Sequence, residues 1–183
     1  DDSKRSMYFY CKGNLSYMEG NLDSALNAYG SAIAIRQRLF GEKDEIYYKC
    51  FANSGNIYFS RGNYRKSLEI YTKSYELSKK LFGNENASVS KDLNNLAISY
   101  EALGDFEKAL NYQLSSIRMK EKYNSTNFLS IGQSYNNLAV LYNKMGRMTL
   151  VEAAYKAASM YFSKDQTLEY GADHFASLCN LSE

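Results

Sequence analysis

The sequence predicts an all-α fold, a right-handed superhelical solenoid of antiparallel helix pairs. About four pairs are expected, followed by a C-terminal capping helix. Three observations carry this. Gly20, Gly62, Gly104 and Gly146 stand 42 residues apart, three times in succession, each followed two positions later by an apolar residue. An internal period of that length marks a repeat architecture. Proline is absent, so the strongest helix breaker is missing from a chain of 183 residues. Finally, the residues around each glycine fall into helical stripes. A large apolar residue stands eleven before it (Phe9, Phe51, Leu93, Tyr135) and a tiny one seven before (Gly13, Gly55, Ala97, Ala139). Offsets of three and four put such residues on one helical face.

Taken in order, the first helix of each pair covers about 6–19, 45–61, 87–103 and 128–145. A turn glycine closes each, where a left-handed residue is favoured. The second helices cover about 23–40, 65–82, 107–123 and 149–163. Small residues five positions after the glycine (Ala25, Ser67, Ala109, with Val151 the exception) admit close packing. Tyr29, Tyr71, Gln113 and Tyr155 follow at nine, and Ala32, Ser74, Ser116 and Ala158 at twelve. Lys73 falls on an outward-facing position. The units span about 6–44, 45–86, 87–127 and 128–166, with 167–183 a partial fifth unit or cap, all in one domain, 1–183. Ser125-Thr126-Asn127 replaces the glycine loop between the third and fourth units and is the expected flexible joint. Leu178-Cys179-Asn180-Leu181 reads as the start of a further unit, and no initiator Met is present. The chain therefore reads as a piece of something longer.

This pattern resembles the tetratricopeptide repeat (TPR) family from about Ser6 onward. The 42-residue period, Leu39-Phe40-Gly41 with Leu81-Phe82-Gly83, and the Asn-Leu-Ala-x-x-Tyr element at Asn95–Tyr100 and Asn137–Tyr142 are similar to its kinesin-light-chain-like subclass. The His-Pro often found after that subclass's glycine is missing here. Resemblance implies a non-enzymatic scaffold that holds an extended peptide or a partner helix in a concave groove, with inner-helix asparagines as peptide ligands.

Composition narrows the function classes. Lys+Arg number 22 against 20 Asp+Glu, a net charge of +2. That balance is too even for a dedicated nucleic-acid binder. No apolar run approaches the roughly 18 residues that span a bilayer, so membrane insertion is not expected. Cys11, Cys50 and Cys179 are too few and too far apart for a disulfide framework or a metal motif. They read as buried free thiols in an intracellular, cytoplasmic setting. The single histidine, His174, supports no catalytic arrangement, and neither metal nor cofactor is expected.

The candidate binding residues form a ladder. Asn53, Asn95 and Asn137 stand nine before successive glycines, with Asn94 and Asn136 beside two of them. A side-chain amide donates and accepts, so it suits the backbone of an extended peptide whatever its sequence. The competing role for the same amides is to bond a neighbouring helix. Asn56, Tyr17 and Phe59 belong to the same inward face, and Lys49, Lys91 and Lys144 lie near it, pointing to an acidic ligand segment. Two other readings stand beside the peptide scaffold. One is a regulatory sensor array fused to an effector such as an NTPase or kinase, and the other is self-association through the array's ends.

Overall fold

The structure is a computed structural model, and it describes residues 1–165. The expected cap at 167–183, with His174 and Cys179, lies outside the described residues. Eight α-helices follow one another: α1 Asp2–Met18, α2 Leu22–Phe40, α3 Glu45–Ser60, α4 Tyr64–Phe82, α5 Ala87–Ala102, α6 Phe106–Tyr123, α7 Phe128–Lys144 and α8 Met148–Lys164. Among the described residues no strand occurs. The fold is an all-α repeat solenoid. The helices group into two compact units, one from Asp1 to Asn84 and one beginning at Glu85.

The boundaries agree with the sequence reading to within a residue except at the start. There Asp1 accepts a hydrogen bond from the Ser3 amide and caps a helix one turn longer than expected. The turns repeat one geometry. Gly20, Gly62, Gly104 and Gly146 have φ between 70° and 81°. The amide after each glycine then reaches the carbonyl five residues back, Asn21 to Ser16, Asn63 to Tyr58, Asp105 to Tyr100 and Arg147 to Tyr142, at 2.8–2.9 Å. This closing bond needs a left-handed residue between its ends, which is why glycine recurs.

In the first unit, α1 pairs with α2 and α3 with α4, and α2 also packs against α3. The tiny-residue positions explain the close pairing. A Cβ on Gly13 would lie 2.5 Å from the Tyr29 ring, and one on Gly55 would lie 2.5 Å from that of Tyr71. Ala25, Ala32, Ser67 and Ser74 are fully buried, and the Ser67 hydroxyl donates to the Gly55 carbonyl at 3.1 Å. Between α2 and α3 a short 3₁₀ turn, Gly41–Lys43, replaces a plain loop. Its Glu42 accepts hydrogen bonds from Lys73 and Lys80, so Lys73 is a tether for this turn rather than the free outward residue its register implied. Asp44 caps α3 through Tyr47 and also holds the buried Arg36 at 3.1 Å.

The second unit repeats the pairing with α5·α6, α6·α7 and α7·α8. Its core centres on Ala109, Leu110, Ile117, Leu138, Ala139, Leu141, Ala154 and Tyr155. The 124–127 loop lies inside this unit. There Asn127 donates to Asn124 and its side chain caps α7 through Ser130, and the division of the chain falls instead at residue 84. Of the two described cysteines, Cys50 is fully buried but Cys11 is exposed, contrary to expectation. Cys11 lies on the outer face of α1, and Tyr8 and Leu15 beside it on that face are exposed too.

Candidate functional site

The ladder positions lie on first helices, and the two units treat them differently. In the first unit a glycine brings the Tyr29 ring flat onto α1, which delivers its hydroxyl to the next residue, Asn14, at 2.7 Å. The amide of Asn53 then closes a triangle, donating to Asn14 Oδ1 at 3.0 Å and to the Tyr29 hydroxyl at 3.2 Å. Burial pushes the Tyr29 hydroxyl up to about 12, against a smaller opposing pull from Asn53. Tyr71 repeats the arrangement by donating to Asn56 Oδ1 at 2.6 Å. Asn53 and Asn56 are thus engaged in joining helices. Phe59 packs its ring against Tyr64 at 5.2 Å, Tyr17 is exposed, and Lys49 pairs with Glu45 one turn away at 2.6 Å.

In the second unit the same register carries different residues. Gln113 replaces the tyrosine and donates to the Ser134 carbonyl at 2.8 Å, and Ile98 and Val140 replace the bonding asparagines. For Asn137, the places that serve Asn53 hold Ile98 and Gln113, so no tyrosine hydroxyl or partner amide is left there. The amides of Asn94, Asn95 and Asn137 are half-buried and make no hydrogen bond among the described residues. Asn136 Oδ1 is buried and meets no partner. A buried polar atom of this kind carries a desolvation cost that a bound donor removes. The charges nearby are mixed. Lys144 donates to Glu101 at 2.8 Å, while Lys91 is exposed and makes no ion pair among the described residues.

One residue of this unit escaped the sequence reading. Lys120 is buried between α6 and α7, donating to Ser134 Oγ at 2.6 Å and to the Ser130 carbonyl at 3.3 Å, with no carboxylate bonded to it. Burial, helped by the charge of Lys91, pushes its ammonium down to about 8. Near the end of a helix a lysine reads as exposed, and nothing in its local sequence signals the serine pocket that receives it.

Among the described residues no three His, Cys, Asp or Glu side chains stand close enough to hold a metal, and no helix is long and apolar enough to cross a membrane.

Models of the tetratricopeptide repeat match residues 11–45, 46–122 and 132–165. A search of the curated proteins finds no match. Solved structures do match. BtubC (BKLC) from P. vanneervenii superposes with a TM-score of 0.80 at 23% identity, covering 92% of this chain and 67% of that one. A Podosopora anserina kinesin light chain with nearly identical TPR-like repeats gives 0.78 at 16% identity, covering 97% and 84%. A Rap protein complexed with competence and sporulation factor gives 0.76 at 16% identity, covering 90% of this chain and 44% of that one.

Proposed function

From the premise that this chain is a tetratricopeptide repeat array, an interaction scaffold by fold, we propose that its second unit binds an extended peptide. The peptide runs along the first-of-pair helices α5 and α7, with Asn95 and Asn137 as anchors for its backbone. The observation that carries this reading is the contrast between the asparagines. Asn53 spends its amide on Tyr29 and Asn14, whereas Asn95 and Asn137 keep theirs for a ligand. Lys91, the unpaired cation nearby, favours an acidic residue in the ligand.

The test is calorimetric titration with a peptide selected by display against this chain, beside thermal unfolding. Asn137→Ala and Asn95→Ala are expected to weaken binding about tenfold each, because a peptide group left without its partner costs about 1–3 kcal/mol. Melting changes little, since water serves these amides in the free protein. Asn53→Ala behaves in the opposite sense, losing stability while affinity holds. Unchanged affinity in Asn137→Ala together with a lowered melting temperature would leave the ladder as packing throughout and sink the reading. A second reading, an array that regulates an attached effector, draws on the likeness to Rap-type chains more than twice as long. Self-association, the third, predicts an apparent mass that rises with concentration in light scattering.

A further inference from the structure

The first unit has a cleft on the side of its second-of-pair helices, about 440 Å³ in volume, lying between α2 and α4 and floored by α3. Leu26, Ile33, Phe51, Tyr58 and Ile70 form its walls, and Gly30, Ser54, Asp23, Asn27 and Arg61 complete the lining. The repeat supplies an internal standard for this place, since residues 84 apart occupy equivalent positions two repeats on. Gly30 corresponds to Leu114, Ser54 to Leu138 and Arg61 to Met145. In the second unit those three are apolar, with Leu138 buried in the core cluster and Leu114 and Met145 packed against it. The first unit carries glycine, serine and arginine where the second carries leucine, leucine and methionine, and the cleft is lined at these points. Ile70, which stands where the second unit has Ala154, offsets part of the lost volume.

Gly30 adds a second observation. It sits mid-helix with ordinary backbone angles, and a Cβ there would meet nothing within 4 Å. Glycine at such a point weakens a helix by about 1 kcal/mol relative to alanine. Neither a turn nor a close approach within the protein requires it, in contrast to Gly13 and Gly55. At the mouth, Arg61 is held by Asp23 at 2.7 Å, but the Asp23 side chain is 89% exposed. Pairs so open to water contribute little, so a ligand carboxylate exchanges for Asp23 readily.

We propose that this cleft is a docking site for a partner segment in which an aliphatic side chain, leucine or methionine, stands next to an acidic residue. The aliphatic group enters over Gly30, taking the place that Leu114 fills in the second unit. The carboxylate pairs with Arg61. The occupant's shape is set by the missing leucine and its charge by the guanidinium at the rim. This site is separate from the asparagine ladder and stands or falls without it.

The probes are N-acetyl-Leu-Asp-amide, N-acetyl-Ala-Asp-amide and N-acetyl-Leu-Asn-amide, titrated into the ¹⁵N-labelled chain. The leucyl-aspartyl probe is expected to shift the amides around Gly30 and Ser54 saturably. Alanine in place of leucine weakens this about tenfold, as the loss of buried methyl and methylene groups requires. Asparagine in place of aspartate weakens it about threefold. In Gly30→Leu, which restores the second unit's filling and melts no lower than the parent, the shifts vanish. In Arg61→Met the aspartyl and asparaginyl probes become equal, and in Asn137→Ala nothing changes. Shifts that persist in Gly30→Leu, failure to discriminate leucine from alanine, or no saturable shift at all would each overturn the proposal.

Discussion

Gly55 and Gly30 both sit inside helices, and substitution should move stability in opposite directions. A methyl on Gly55 meets the Tyr71 ring at 2.5 Å, with backbone on one side and a fully buried ring on the other. Gly55→Ala is therefore expected to destabilise by about 1–3 kcal/mol, the cost of overpacking. Gly30→Ala meets empty space and should stabilise by about 0.5–1 kcal/mol through helix propensity. Urea unfolding of the two variants reads both signs. The sequence period foretold Gly55, because a tiny residue recurs at that place in every unit. Gly30 became informative only when its equivalents could be seen packed. Asn53 shows the opposite limit. Its partners stand 24 and 39 residues away, so no local pattern announces that its amide is already committed.

At the scale of elements, the start of α3 concentrates two tasks on one side chain. Asp44 caps the helix through the Tyr47 amide at 2.7 Å and neutralises Arg36, which is 7% exposed. Asp44→Ala removes a cap, worth about 1 kcal/mol, and strands a buried guanidinium. The expected loss is about 2–5 kcal/mol. Asp105→Ala removes the cap of α6 and an exposed pair with Lys108, and should cost about 1 kcal/mol. Thermal melts of the pair check the ratio. Helix positions and turns were legible because glycine, cap and apolar stripe all recur with one period. Of the twelve residues placed by register on the faces of the second helices, all but Val151 are buried. What periodicity does not carry is the neighbourhood of a particular helix. Cys11 was misjudged and Lys120 passed over for that reason, one exposed on the outer face of α1 and the other drawn into a serine pocket.

For the molecule as a whole, ionisation gives stability a defined course with pH. The Glu42 carboxyl is held down to about 2 by the hydrogen bonds from Lys73 and Lys80, so its contribution is present above about 4.5 and is lost as pH falls toward 2. Lys120 works in the other sense. Its folded value, about 8, lies below the ordinary 10.5. Between those values the unfolded chain binds more protons, so stability rises with pH across that window. Tyr29 and Tyr161, both pushed up to about 12 by burial, reverse the trend above about 10, because the unfolded phenols ionise first. Urea midpoints from pH 7 to 11 should trace a rise and then a fall, and Lys120→Met should abolish the rise.

Contacts confined to neighbouring repeats have a further consequence, for speed. The triangle of Asn53 with Asn14 spans 39 residues, and the Lys144–Glu101 pair spans 43. Within each unit no loop much longer than one repeat has to close before its contacts form, and the entropy of closure grows only slowly with length. A chain of this kind belongs with the fast folders, relaxing in microseconds to milliseconds. Without a single proline it has no prolyl isomerisation to delay any fraction of its molecules by tens of seconds. A segment released from a translocating or unfolding machine would regain its binding surfaces before a partner arriving by diffusion at micromolar concentration could miss them.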